Sequence, residues 1–193
     1  GKLNLIKNMI MDKAQHRIER FGFKKTTMDE LSRDCGISKK TIYLHFKDKE
    51  DLLKSLILRE SQAFLQRVFA EVQTIADPLE KLTALINVAV QNFNQDNFIT
   101  GILKEDEIFA AFVKRKYHAI IDQEIIAKIA QIIKDGKTRG VFREVNETVV
   151  AYAGFRLFQA FTYAKTGPLE PEVDYTPELV DFLVQAIIKP QSR

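Results

Sequence analysis

Between Phe21 and Leu53 the chain reads FGFKKTTMDELSRDCGISKKTIYLHFKDKEDLL, and its reactive groups suit an anionic, groove-shaped partner. On a helix, the three- and four-residue spacing puts Lys39, Lys40, Tyr43, Leu44 and Lys47 on one side. Lysines donate to guanine O6 and N7 or neutralise phosphates, and a phenol hydroxyl bonds a phosphate oxygen. Leu44 could touch a thymine methyl or pack against its own chain. Asp48-Lys49-Glu50-Asp51 then opens a longer helix, whose N–H groups and dipole form an anion site that the Lys49 charge strengthens.

Other chemistries find little support. The sequence offers no nucleophile–base set, no phosphate-cradling glycine loop and no paired carboxylates in an evident pocket, so catalysis is not expected. His16 and His118 are solitary and far apart, without metal-ligand spacing, and neither a metal nor a cofactor is expected. Glu105-Asp106-Glu107 reads as a solvated face or a helix start. Cys35 is the lone cysteine, which excludes an internal disulfide and suggests a reducing, cytoplasmic setting. It reads as a small buried turn residue, since only Arg33 stands near enough to activate a thiol. No run approaches the roughly 18–20 apolar residues that span a bilayer, and the first residues mix charge into an amphipathic pattern.

The elements that must position the cationic side follow from local signals. Thr27 with Glu30 three residues on is a capping box for a helix near 28–34. Gly36 permits a tight turn, and Ser38 caps a second short helix near 39–46. Leu31, Ile37, Ile42 and Phe46 lock the two at a fixed angle, which makes a helix-turn-helix. Ahead of it, Ile6, Ile10, Ala14, Ile18 and Phe21 form one apolar stripe that ends at Gly22. Charge follows the same division. Residues 1–60 hold 14 Lys/Arg against 9 Asp/Glu, while 61–193 hold 15 against 17, so a polyanion would meet the first part only.

These residues closely resemble the tetracycline-repressor (TetR) family of transcriptional regulators. Gly22-Phe23, Thr26-Thr27-Met28, Gly36-Ile37-Ser38, Thr41-Ile42-Tyr43, His45-Phe46, Lys49 and Leu52-Leu53 fall at that family's spacing, over about residues 10–53. Ser32 and Cys35 stand where alanine is frequent. The resemblance implies that Lys39, Lys40 and Tyr43 face bases or adjacent phosphates, and that Thr27, Thr41, His45 and Lys49 hold the DNA backbone. By the residues alone, His45 beside Phe46 reads as a packed side chain; only the resemblance makes it a phosphate contact.

The rest of the chain is helical by periodicity, and the fold expected is all-α. A DNA-binding domain is expected over 1–47 and a helical effector-binding and dimerisation domain over 48–193. Helices are expected from Asp48 toward Ile75, over 78–94, in pieces within 97–113, and over 115–138, 147–165 and 177–188. Val149–Ala164 is apolar around nearly its whole circumference, and the last helix is apolar over a broad arc, so both need cover on several sides. A four-helix interface with a second copy supplies that cover, through Val150, Gly154, Leu157, Phe161, Leu179, Phe182, Leu183 and Ala186; the family usually dimerises so. A purely internal role for both helices is the alternative. The family likeness also implies an effector cavity among the many phenylalanines, with Phe64, Phe93, Phe109, Tyr117 and Phe158 as candidates and an apolar or aromatic small molecule as ligand. The function expected is a repressor that leaves a palindromic operator when that effector binds. The alternative is a protein-interaction or enzymatic module whose helix-turn-helix no longer binds DNA.

Overall fold

The computed structural model describes residues 1–94, 98, 101, 107–162 and 173–191, with the side chains of 93, 94, 107–121 and 162 left aside. Eight helices are described: α1 (Lys2–Phe21), α2 (Met28–Cys35), α3 (Lys39–His45), α4 (Lys49–Val72), α5 (Pro78–Asn94), α6 (Glu107–Thr138), α7 (Glu147–Thr162) and α8 (Thr176–Ile187). The only extended pairing among the described residues is an isolated antiparallel bridge between Phe142 and Ile188. The fold is all-α, as the periodicity predicts.

Two compact units divide the chain. One comprises 1–63 with 96–121, the other 64–95 with 122–193. The core of the first is built where the stripe of α1 (Ile10, Ala14, Ile18) meets Leu31 of α2, Ile42 of α3, Phe46 and the first turns of α4 (Leu52, Leu53, Leu56). The core of the second gathers Val68 and Val72 of α4, Leu82, Leu85, Ile86 and Val90 of α5, Ile132 and Ile133 of α6, Ala151 of α7, and Leu179 and Ile187 of α8.

Most helix boundaries follow the punctuation. Gly22, at φ 85°, closes α1 and donates its N–H to the Ile18 carbonyl at 2.8 Å. Two expectations need correcting. Helix α4 ends at Val72 rather than near Ile75, and Ile75 follows in a turn, donating its N–H to the Val72 carbonyl at 3.1 Å. Residues 107–113 do not form a separate short helix but continue into α6, because no proline or glycine interrupts the chain between Glu107 and Asp135. Of the remainder of 97–113, only 98 and 101 are described. Residues 163–165, at the expected end of α7, lie outside the described residues.

Near the end of α6 the chain needs a glycine for closeness rather than for backbone freedom. The Phe142 ring, 2% exposed, lies directly over Gly136, so that a Cβ at 136 would fall inside it. Both Val141 and Phe142 donate their N–H groups to the Gly136 carbonyl, at 2.9 and 3.1 Å, which holds the ring in place. Gly136→Ala is therefore expected to cost about 1–3 kcal/mol of stability by overpacking. Thermal unfolding followed by circular dichroism measures it, and an unchanged midpoint would contradict this packing.

Candidate nucleic-acid interface

Every local signal of the helix-turn-helix is realised. The Thr27 hydroxyl accepts the Glu30 N–H at 3.2 Å, and the Glu30 carboxylate accepts the Thr27 N–H at 3.1 Å, completing the capping box. Gly36 sits in the left-handed region (φ 64°, ψ 31°), and Ile37 donates its N–H to the Ser32 carbonyl at 3.1 Å, turning the chain sharply after α2. Ser38 caps α3 by accepting the Thr41 N–H at 3.1 Å, and the Ser38 and Thr41 hydroxyls share a hydrogen bond of 2.9 Å.

Helix α3 is thereby set with Ile42 fully buried and Phe46 1% exposed behind it. On its other side Lys39 and Lys40 are exposed, Tyr43 is 47% exposed and Leu44 is 75% exposed. Lys47, expected on the same helix side, is instead exposed in a bend beyond the end of α3, because Phe46 leaves the helical conformation. A leucine so placed does not pack into the core of its own chain; it is presented outward among cations. Thr41 and His45 are half-buried at the margins of the same helix.

Two lysines carry structural partners that local spacing does not reveal. The Lys39 ammonium pairs with Asp29 of α2 at 3.1 Å, and this carboxylate holds the lysine pKa above its usual value. Both groups are well exposed, so the pair adds little to stability. Its effect is to aim Lys39. The Lys49 ammonium donates to the Phe23 carbonyl at 3.0 Å and lies 4.3 Å from the Phe23 ring centroid, so the start of α4 is tied to the turn after α1. A box of side chains also caps α4: Asp51 N–H donates to the Asp48 carboxylate at 2.8 Å, and Lys47 N–H donates to the Asp51 carboxylate at 2.9 Å.

Sequence reasoning missed the brace behind this surface. Arg17 of α1 forks onto Asp34 of α2, with Nε and a terminal nitrogen at 2.6 and 2.9 Å from its two oxygens, and comes within 3.6 Å of Glu30. The hydrogen bond from Arg17 holds the Asp34 pKa below its usual value. Seventeen residues separate the partners, and no local pattern marks them.

The second unit holds a cavity of about 290 Å³. Its walls are Phe64, Leu65, Val68 and Phe69 of α4, Leu82, Leu85, Ile86 and Ala89 of α5, Ile125, Ile129 and Ile133 of α6, and parts of α7 and α8. Of the expected effector residues, Phe64 and Phe158 line it, whereas the side chains of Phe93, Phe109 and Tyr117 lie outside the described residues. Six residues expected at a dimer interface, Val150, Gly154, Leu157, Phe182, Leu183 and Ala186, also line this cavity. Phe161 instead stacks near Tyr175, ring centroids 5.2 Å apart. Leu179, at 2% exposure, is covered by its own chain. Outward on the same two helices stand Val149 (62% exposed), Tyr152 (50%) and Phe182 (65%). No cluster of metal-ligating side chains occurs among the described residues, and no described helix is long and apolar enough to cross a membrane.

Residues 10–56 match the family model described as bacterial regulatory proteins, tetR family. The HTH-type transcriptional regulator UidR of Escherichia coli (strain K12) is 24% identical over 166 residues, covering 84% of this chain and 81% of UidR. Among solved structures, the fatty acid degradation regulator FadR from Bacillus halodurans superposes with a TM-score of 0.65 at 18% identity, over 93% of this chain and 94% of FadR. AibR, in complex with isovaleryl coenzyme A and operator DNA, superposes with a TM-score of 0.57 at 22% identity, over 96% of this chain and all of AibR. At such identities the two structures establish a shared fold.

Proposed function

We propose that this chain, a member of the tetR family of bacterial regulatory proteins, represses transcription as a homodimer that leaves its operator when a small apolar molecule fills the cavity of the second unit. It is a helix-turn-helix DNA-binding transcriptional regulator, and the single observation that carries the mechanism is α3. Ile42 anchors that helix in the core while Lys39, Lys40, Tyr43 and Leu44 stand outward on one side. A helix so held suits the major groove, with Thr27, Thr41, His45 and Lys49 set to meet the flanking phosphates.

In this reading residues 1–47 form the DNA-binding domain and 48–193 the effector and dimerisation domain, in a cytoplasmic protein with a binding rather than a catalytic role. The exposed apolar face of Val149, Tyr152 and Phe182 favours a second copy, and α7 and α8 meeting their symmetry mates would cover it. AibR was solved with both operator DNA and an acyl thioester, which supports an effector-responsive regulator here. Helix α4 offers a route between the two events. One continuous helix carries Lys49 in its first turn and Phe64, Leu65, Val68 and Phe69 on the cavity wall. An effector that prefers one setting of α4 would lower operator affinity by the ratio of its affinities for the two states.

Sedimentation of the purified protein on a duplex carrying an inverted repeat tests this reading. Two chains per duplex are expected, with log affinity falling linearly against log salt as lysines displace counterions. One chain per duplex, or affinity indifferent to salt, would overturn it.

A further inference from the structure

Among the described residues, the cavity of the second unit is lined by one polar side chain. Every other residue of that lining is aliphatic, aromatic, alanine or glycine, and the exception is Arg143. Arg143 is exposed while also lining the cavity, which places it at the opening.

Arg143 is fixed at both ends. Its backbone N–H donates to the Ile187 carbonyl at 2.9 Å, beside the bridge between Phe142 and Ile188. Its Nε donates to the Ala186 carbonyl at 2.7 Å. That bond uses the inner edge of the guanidinium and leaves its two terminal nitrogens to present a planar fork. Among the described residues no carboxylate forms an ion pair with it; the neighbouring Glu144 lies 3.7 Å from the Lys137 ammonium instead. A preorganised fork at the opening of an otherwise apolar cavity is complementary to a carboxylate on an apolar body. The guanidinium can donate two parallel hydrogen bonds to the anion while the cavity strips water from the body.

We infer that this cavity takes a small apolar monocarboxylate, its body among Phe64, Val68, Ile86, Ile133 and Phe158 and its carboxylate on Arg143. The inference rests on the effector reading of the proposed function and gives it a chemical class. The cavity volume, about 290 Å³, lies at the small end of ligand pockets (roughly 300–1,000 Å³), which suits a single chain or ring system.

Decanoate, 1-decanol and decylamine, each titrated calorimetrically into the full chain without DNA, share one tail and differ in the head group. Decanoate is expected to bind about tenfold or more tightly than decanol, the gain of a charge-assisted pair over a neutral hydroxyl, and decylamine more weakly than either. Arg143→Gln should remove the advantage of decanoate and leave decanol binding as it was. Equal affinities for decanoate and decanol in the unaltered protein would overturn the inference whether or not the variant folds. So would binding of either that disappears as the chain dimerises, since a partner would then occupy the space. Adding decanoate to the DNA complex separates the two proposals. Binding that depends on Arg143 without release of DNA supports the ligand class and contradicts induction, whereas DNA binding with no affinity for decanoate sinks the ligand class alone.

Discussion

A protein carrying both Lys40→Ala and Tyr43→Ala is expected to bind its operator on the order of a thousandfold more weakly while remaining folded. Both side chains are exposed, and neither is among the core residues of the first unit, so their removal leaves the packing of α3 intact. Deleting one hydrogen bond to a base edge or phosphate costs roughly 1 kcal/mol or more. With two chains in the proposed dimer, four such bonds are deleted, which sums to ~4 kcal/mol, or about three powers of ten. Lys40→Ala alone should also flatten the salt dependence by about one counterion per chain, since a lysine on a phosphate displaces one on binding. Titration by fluorescence anisotropy at several salt concentrations reads both quantities. A double variant that binds within a factor of a few of the parent would show that α3 does not enter the groove with this side.

Phe46→Ala should act on the same function by the opposite route. Phe46 is 1% exposed, closes α3 and belongs to the core shared with α1, α2 and α4, with the Lys7 ammonium 5.5 Å from its ring centroid. Truncating a phenylalanine so placed costs about 3–5 kcal/mol through the transfer energy forgone and the cavity left behind. That is a large part of the stability of an ordinary domain. Urea unfolding monitored by circular dichroism should show the loss. Phe182→Ala supplies the contrast: at 65% exposure its removal should hardly change the stability of a single chain, but should weaken association of the proposed dimer. A Phe46 variant destabilised by less than ~1 kcal/mol would mean that α3 is held by its caps alone.

How legible each part is in the sequence follows from how far apart the interacting residues lie. Thr27 with Glu30, Gly36 and Ser38 act over three or four residues, so their types and spacing declare the turn, both caps and the outward side of α3. Lys49 reads from its position as a phosphate ligand, yet its ammonium also joins the Phe23 carbonyl 26 residues earlier, and Arg17 joins Asp34 across 17. Such pairs depend on how α1, α2 and α4 cross, which periodicity does not encode. Helices α7 and α8 show a different shortfall. Their apolar circumference correctly signals cover on several sides, but the pattern is the same whether the cover is core, ligand or a second chain. Thus Leu179 lies in its own core, Gly154 and Leu183 line the cavity, and Phe182 both lines the cavity and remains exposed. Arg143, in the segment between α6 and α7, carries no local signal at all; only the approach of α8 brings it to the cavity.

Whether α3 reads an operator in two symmetric halves is decided by selecting binding sites from randomised duplex DNA with the purified, ligand-free protein. Enrichment of an inverted repeat, its halves about one helical turn or a multiple apart, is the predicted result. Recovery of sequences with no repeat, or of none above background, would contradict it.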